Sequence, residues 1–380
     1  MRRAADLRDP ASFDHVGRDK GAHFIAGDVL AELADTDPRI VCGTADLKYV
    51  TQLAGFAGRH PDRFFEFGIS ERNMLSAAAG LATIGFLPYV STFACFSGIL
   101  GFEIIRTDHA YPGLPVRILA THAGISMGFF GTSHHATEDI SALRAVAGLT
   151  IVSPSDRHSV EALVRGTVEV PGPVYFRMSR GQEDDLYTAI PDGYLQQSPY
   201  LVRDGRDAAL VSTGVMVREC ALAAEALAAD YGISVAVLDV HTLKPFPAAR
   251  IAEMLAGIPV IVTVEEHNVD GGLGSMVAEA LAEAGSAGRV RKHGLLDEFA
   301  IVGPPTHLYA YYGLDASGIA TVLGRAAGIV PGAGEPSGGA AQLWAPSDRA
   351  GVLSRYRARR GVPLSRDPAD NGARSPSGPR

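Results

Sequence analysis

What most constrains this chain is an alternation. Short runs rich in β-branched and aromatic residues, PRIVCGTADL, PVRILATH, LTIVSPSD and PVYFRMSR, are separated by helical stretches such as MLSAAAGLATIG and SVEALVRGTVEV. A strand that meets its neighbour only after a helix pairs with it in parallel, because the helix carries the chain back across the sheet. A second set follows: DAALVSTG, ISVAVLDV and PVIVTVEEH as strands, with VRECALAAEALAADY, ARIAEMLAG and GSMVAEALAEAG as helices. The pattern predicts an α/β chain of two consecutive doubly wound domains with mostly parallel sheets, over 15–185 and 200–329. Residues 186–199 carry turn residues without a helical period and read as the linker. The stretch 330–380, rich in Pro, Gly, Ser and Arg, reads as a disordered tail.

Composition excludes several classes. The 380 residues are 47% hydrophobic and 20% charged, with a net charge of −8. Eight Arg against four acidic residues after residue 330 leave −12 on the rest, which argues against nucleic acid as the main partner. Cys42, Cys95 and Cys220 lie far apart in no metal-binding or disulfide spacing, as suits a reduced cytoplasm. The N-terminus lacks an apolar signal core, and no run of about 18 apolar residues offers a membrane span. A cytoplasmic protein is expected.

Candidate functional residues gather where strands should end, the edge at which such sheets bind ligands. Glu71 stands at a strand-to-helix junction behind Ser70, a candidate N-cap; it either complements the helix dipole or does chemistry. Phe93 and Phe96 lie three apart, a spacing that also suits plain core packing. The stretch THAGISMGFFGTSHHATED places His122 directly after a strand and His134 and His135 beyond a glycine-rich turn. Three imidazoles at this edge favour function over packing, and no carboxylate or Cys completes a zinc set beside them. Arg180 ends FRMSR, placed to hold a phosphate or carboxylate or to make a surface ion pair. Gly271, Gly272 and Gly274 precede a helix as GGxG, not GxGxxG, and read as a tight turn, not a nucleotide loop.

In order along the chain, GTADL, GISERN, AAAGLATIGFLPYVSTFACF, THAGISMG, GTSHHATEDI, LRAVAGLTIVSPSD, SRG, KPF and EEHNVDGGLGS resemble the C-terminal half of transketolase. The likeness spans roughly Arg18 to Ala327 and implies a pyrimidine-binding domain followed by the family's C-terminal domain. It also implies thiamin diphosphate as cofactor. Transketolases hold the diphosphate and a divalent metal through a GDG motif and a later Asn on a preceding domain, and no GDG occurs here. The resemblance therefore implies the second subunit of a split transketolase. An N-terminal subunit would supply the diphosphate site with its Mg2+ or Ca2+, in an α2β2 heterotetramer that moves a two-carbon ketol unit from a ketose to an aldehyde.

The same resemblance assigns roles. Glu71 matches the acid that hydrogen-bonds N1′ of the aminopyrimidine and favours the imino tautomer that deprotonates the thiazolium. Phe93 and Phe96 match the aromatic pair around that ring, Phe96 as the stacking partner. Ile69 borders the same ring, and Asp46 matches an acid near the cofactor. His134 matches a histidine on the ketose hydroxyls, suited as a base, and His122 another in the substrate channel. Arg180 and Arg18 match the arginines that clamp the sugar phosphate.

Two positions depart from the family. Sugar transketolases usually carry Gly-Glu-Asp-Gly where this chain has Gly128-Phe129-Phe130-Gly131, so Phe130 replaces an Asp that reads a substrate hydroxyl. A phenyl ring cannot accept a hydrogen bond, and burying a hydroxyl against it costs binding energy. Gly21 stands where a serine often assists phosphate binding. Both point to a deoxygenated, modified or more apolar acceptor. Alternatives are a pyruvate-using enzyme, like 1-deoxyxylulose-5-phosphate synthase or a 2-oxoacid dehydrogenase beta chain, and a non-catalytic partner subunit.

Overall fold

The computed structural model describes residues 25–329 apart from 52, 182–184 and 192. Arg18, Gly21 and the expected disordered tail lie outside the described residues. Twelve described strands form two sheets. They are β1 (Ile40–Thr44), β2 (Phe64–Glu66), β3 (Leu87–Phe93), β4 (Arg117–Thr121), β5 (Thr150–Val152) and β6 (Val174–Arg177), then β7 (Tyr200–Arg203), β8 (Ala208–Ser212), β9 (Val235–Asp239), β10 (Thr242–Lys244), β11 (Val260–Asn268) and β12 (Arg289–Leu295).

The first sheet runs β10-β5-β6-β4-β3-β1-β2 and is parallel except for β10 on β5. Its strands β1, β3, β4 and β6 are buried along their whole length, which is why they read as continuous apolar runs. Helices cross between the strands. Of these, Arg157–Gly166 opens on a capping box in which Ser159 N donates to Asp156 Oδ1 (2.8 Å) and Asp156 N meets Ser159 Oγ (2.9 Å). The second sheet runs β12-β11-β8-β9-β7, parallel except for β7 on β9. The fold class is thus α/β with two mostly parallel sheets.

The two sheets interlock. β10, from the second set of strands, adds to the edge of the first sheet through Thr242 and Lys244 opposite Val152 and Ile151. One apolar core runs through both, with Leu75, Ile118 and Tyr175 in the same cluster as Val211, Leu238 and Leu273. Four strands escape the sequence reading: β3, β7, β10 and β12. β10 is only three residues long, and β12 is an edge strand whose first half, Arg289–Lys292, is mostly exposed and charged. The helices Pro305–Tyr312 and Ala316–Ala326 complete the described fold.

Candidate functional site

In the first sheet, β1 is followed in space by β2 on one side and by β3, then β4, on the other. The direction of winding reverses between β1 and β3, and a crevice beyond the carboxyl ends is expected there. The sequence-selected residues lie at or just beyond the carboxyl ends of this sheet's strands. Asp46 follows β1, Ile69 and Glu71 follow β2, Phe93 ends β3, His122 follows β4 and Arg180 lies three residues beyond β6. Among the described residues, the non-glycine residues with left-handed backbone are Asp46 (φ 59°) and His122 (φ 58°). Such conformations cost free energy and concentrate at functional sites.

The wall of the crevice is aromatic. After Phe93 the chain enters a π-helical turn, Cys95–Leu100, which brings Phe96 within 5.9 Å of Phe93, centroid to centroid. π-turns are uncommon and recur at functional sites. The His122 ring lies 4.6 Å from Phe93. His134 lies 6.0 Å from Phe93, 5.2 Å edge-on from Phe96 and 5.1 Å from Phe130. Five predicted residues therefore form one cluster, although His122 and His134 belong to opposite arms of their loop.

Both imidazoles are held neutral. Burial, then the nearby charge of Arg180, pushes His122 down to about 3, while partial burial lowers His134. His122 Nδ1 meets Thr121 Oγ1 at 3.1 Å and His134 Nδ1 meets Ser133 Oγ at 2.9 Å. In each ring it is Nδ1 that a neighbouring hydroxyl engages. His135 turns inward, and burial keeps it neutral as well. Arg180 is half-buried, and Phe130 is 63% exposed on the turn Gly128–Phe130.

On the opposite side, Glu71 is half-buried as the first residue of the helix Glu71–Thr83. Ser70 occupies the N-cap position, but its side chain makes no cap bond. The positive end of the helix therefore acts on the Glu71 carboxylate. Glu71 lies near the Cys95 thiol, which burial, with that carboxylate and Asp139, pushes up to about 12. Ile69 is 83% exposed, two residues away. Sequence reasoning passed over Glu66. Its Oε1 accepts from Asp46 N (2.7 Å) and Gly68 N (3.2 Å), tying the loops after β1 and β2 together. A carboxylate closing a strand was the available signal.

Beneath the His loop lies a buried polar layer. Asp139 accepts from Arg177 Nε (3.0 Å) and Tyr175 OH (3.1 Å), and Arg177 Nη2 donates to the carbonyls of Ala136 (3.1 Å) and Glu266 (2.9 Å). The glycine-rich turn of the second sheet is occupied from within. The Glu265 carboxylate accepts from Leu273 N (2.7 Å) and Gly274 N (2.8 Å), and a Cβ on Gly272 would lie 2.0 Å from Glu265 Oε2. The turn is tight and internally satisfied, as its spacing predicted. No group of three His, Cys, Asp or Glu among the described residues is arranged to hold a metal ion, and no described helix is long and apolar enough to cross a membrane.

The chain matches the transketolase pyrimidine binding domain over residues 23–183 and the transketolase C-terminal domain over 200–319. It is 38% identical over 303 residues to a putative transketolase C-terminal section from Methanocaldococcus jannaschii, covering 79% of this chain and 94% of the relative. It is 37% identical over 301 residues to 1-deoxy-D-xylulose-5-phosphate synthase of Syntrophotalea carbinolica, but spans only 46% of that enzyme. A solved split gene transketolase, described as an inactive beta4 tetramer, superposes with a TM-score of 0.72 at 36% identity, covering 80% of this chain and 97% of that one. The chain belongs to the transketolase family and carries that family's pyrimidine-binding and C-terminal domains.

Proposed function

We propose that this chain is the C-terminal subunit of a split transketolase that transfers a two-carbon ketol unit from a ketose to an aldehyde. A partner subunit brings the diphosphate site and its Mg2+ or Ca2+, and the two assemble as an α2β2 heterotetramer. The observation that carries the reading is the aromatic cluster at the winding reversal of the first sheet. There the rings of Phe93 and Phe96, 5.9 Å apart and tilted at 37°, flank Cys95, whose thiol feels the Glu71 carboxyl. An aminopyrimidine ring needs these two things, a face to stack on and a carboxyl for its ring nitrogen, so the residues present fit thiamin diphosphate.

When bound, thiamin diphosphate supplies an acidic thiazolium carbon and an electron sink for the two-carbon fragment. The chain's own residues do the rest. Glu71 shares a proton with the pyrimidine nitrogen, while Ile69 and Asp46 border the cofactor. His134, neutral beside Phe96, takes the proton of a substrate hydroxyl through Nε2. His122 lines the channel, and Arg180, with Arg18, holds the anionic end of the substrate. Phe130, 5.1 Å from His134, presents an apolar face to the acceptor, which favours a deoxygenated or modified aldehyde.

A pyruvate-using reaction is the second reading, favoured by the 37% identity to the synthase. One experiment separates these readings. The chain is reconstituted with an N-terminal subunit and thiamin diphosphate, and assayed with either xylulose 5-phosphate or pyruvate as donor plus a panel of aldehydes. Ketol transfer without carbon dioxide release supports the proposal, and carbon dioxide from pyruvate supports the alternative. Glu71→Ala is expected to lower kcat by about 10²–10⁴-fold, the usual worth of general acid–base catalysis. Unchanged turnover in that variant would assign the chain a non-catalytic role.

A further inference from the structure

The loop that carries Phe130 and His134 is fastened by the other sheet. Its neck is closed by Gly124 and Ala136, whose backbones exchange two hydrogen bonds (3.0 and 2.9 Å). Just outside the neck, Asn268 N donates to Thr137 O at 2.8 Å. Inside it, the buried Glu266 carboxylate reaches across from β11, and its Oε1 accepts from Ile125 N (2.7 Å) and from Tyr309 OH (3.0 Å). Gly124 leaves room for this contact. It sits at φ +65°, and a Cβ there would lie 2.3 Å from the Glu266 carboxyl carbon. The far side of the loop rests on the segment leading into the Tyr309 helix, where Gly128 packs against Gly303 and Pro305.

Burying a carboxylate costs free energy that plain apolar packing would avoid. In return, a charge-assisted bond to a backbone amide fixes position and direction more tightly than apolar contact does. The amide it holds opens the arm that ends at His134, and the aromatic contacts of His134 depend on where that arm starts. We propose that Glu266, braced by Tyr309, is a positioning residue: through the Ile125 amide it sets the loop that presents His134 and Phe130 to substrate. This gives the C-terminal domain a direct part in specificity. Its catalytic consequence rests on the transketolase reading above, whereas its structural half does not.

Amide hydrogen exchange of the full chain tests the structural half. Glu266→Ala should speed exchange over 125–135 by about tenfold or more, the scale of one lost bond to a charged group. Exchange in β3 and β4 should stay within about twofold. Glu266→Gln, whose amide oxygen can still accept from Ile125 N, should restore most of the protection, and Tyr309→Phe should give a smaller loss. Wild-type exchange in the loop of Glu266→Ala would overturn the proposal. So would an acceleration spread equally over β4, β8 and β11, which would mark a general stability effect. If Glu266→Ala does not fold, Glu266→Gln and Tyr309→Phe decide the matter by the same loop-versus-strand comparison.

In the reconstituted enzyme the acceptor KM should rise in Glu266→Ala by about tenfold, with kcat less affected, the mark of lost uniform binding. Unchanged KM and kcat would overturn the role in specificity. Absence of ketol transfer in the wild-type complex would instead fail the functional reading and leave the exchange result to judge positioning.

Discussion

Both sheets reverse their winding beside the first of their parallel strands, between β1 and β3 in one and between β8 and β11 in the other, but the two switch points are put to different use. The first is lined by Phe93, Phe96, His122 and His134, with Glu71 at its far side. The second is filled by the protein. Glu265 lies on the amides of Leu273 and Gly274 at a helix N-terminus, where an anionic ligand would otherwise sit, and Glu266 is spent on the loop of the first sheet. A glycine-rich helix start therefore signals an anion without saying whose. Here the chain's own carboxyl takes that place, and Glu266 beside it reaches the loop of the first sheet.

The largest stability effect is expected where the two regions join. Asp139 is fully buried, and its carboxylate neutralises Arg177, which also holds the carbonyls of Ala136 and Glu266. Asp139→Ala leaves that guanidinium buried without its ion-pair partner, with only the charge of Glu266 to offset it, which should cost about 3 kcal/mol in denaturant unfolding. A loss below about 1 kcal/mol would mean that the seam is not held by this pair, and the contrast between the crevices would lose its structural basis.

The crevices should also answer to pH with opposite signs. The unfolded His122 ring binds its proton near 6.5 and the folded ring only near 3. The unfolded state therefore binds more protons between these values, and stability is lost as pH falls from 6.5 toward 3. Burial instead pushes Glu265 up to about 7 against its ordinary 4.5, so the folded state holds the extra proton. Stability from this group is lost as pH rises from about 4.5 to 7. Each slope is at most about 1.4 kcal/mol per pH unit. Burial also lowers His109, His134, His135, His241, His267 and His293, so the acid side should dominate. His122→Asn, whose side chain tolerates the left-handed backbone, should flatten the acid loss, and Glu265→Gln should steepen it. Urea midpoints at pH 5 and 7.5 read both, and parallel curves for the two variants would refute the assignment.

Much of this was legible in the sequence, for a physical reason. Parallel central strands are buried on both faces, so β1, β4 and β6 announce themselves as apolar runs, and the residues just past their ends fall on the binding edge. That is how His122 and Arg180 could be named without coordinates, whereas Asp46 came only from the resemblance to transketolase. Edge strands carry no such signature, and β7, β10 and β12 went unseen; so did the buried β3, whose apolar run is interrupted by Pro88, Ser91 and Thr92. The seam was hidden for another reason. Glu266, Tyr309 and Gly124 are far apart in the chain, and nothing local in EEH or HLYAYY tells which amide a carboxylate will reach. Arg177, too, sat unremarked inside a strand, because a charge in an apolar run reveals its partner only once the sheet is folded.

The smallest effect on stability, and the finest test of the open crevice, is expected at Phe130. Its ring is 63% exposed and touches His134 from the turn Gly128–Phe130, so Phe130→Asp should change the unfolding free energy by no more than about 0.5 kcal/mol. Its chemical effect should be larger. A carboxylate at this position can accept a hydrogen bond from an acceptor hydroxyl, and its charge would raise the lowered His134 toward the ordinary imidazole range. In the reconstituted enzyme, kcat/KM for ribose 5-phosphate should rise by about tenfold relative to a deoxygenated aldehyde, the worth of one well-placed hydrogen bond. The pH limb assigned to His134 should move upward with it. An unchanged ratio of the two substrates, with His134 still in place, would mean that Phe130 does not face the acceptor and that the selectivity of the crevice is set elsewhere.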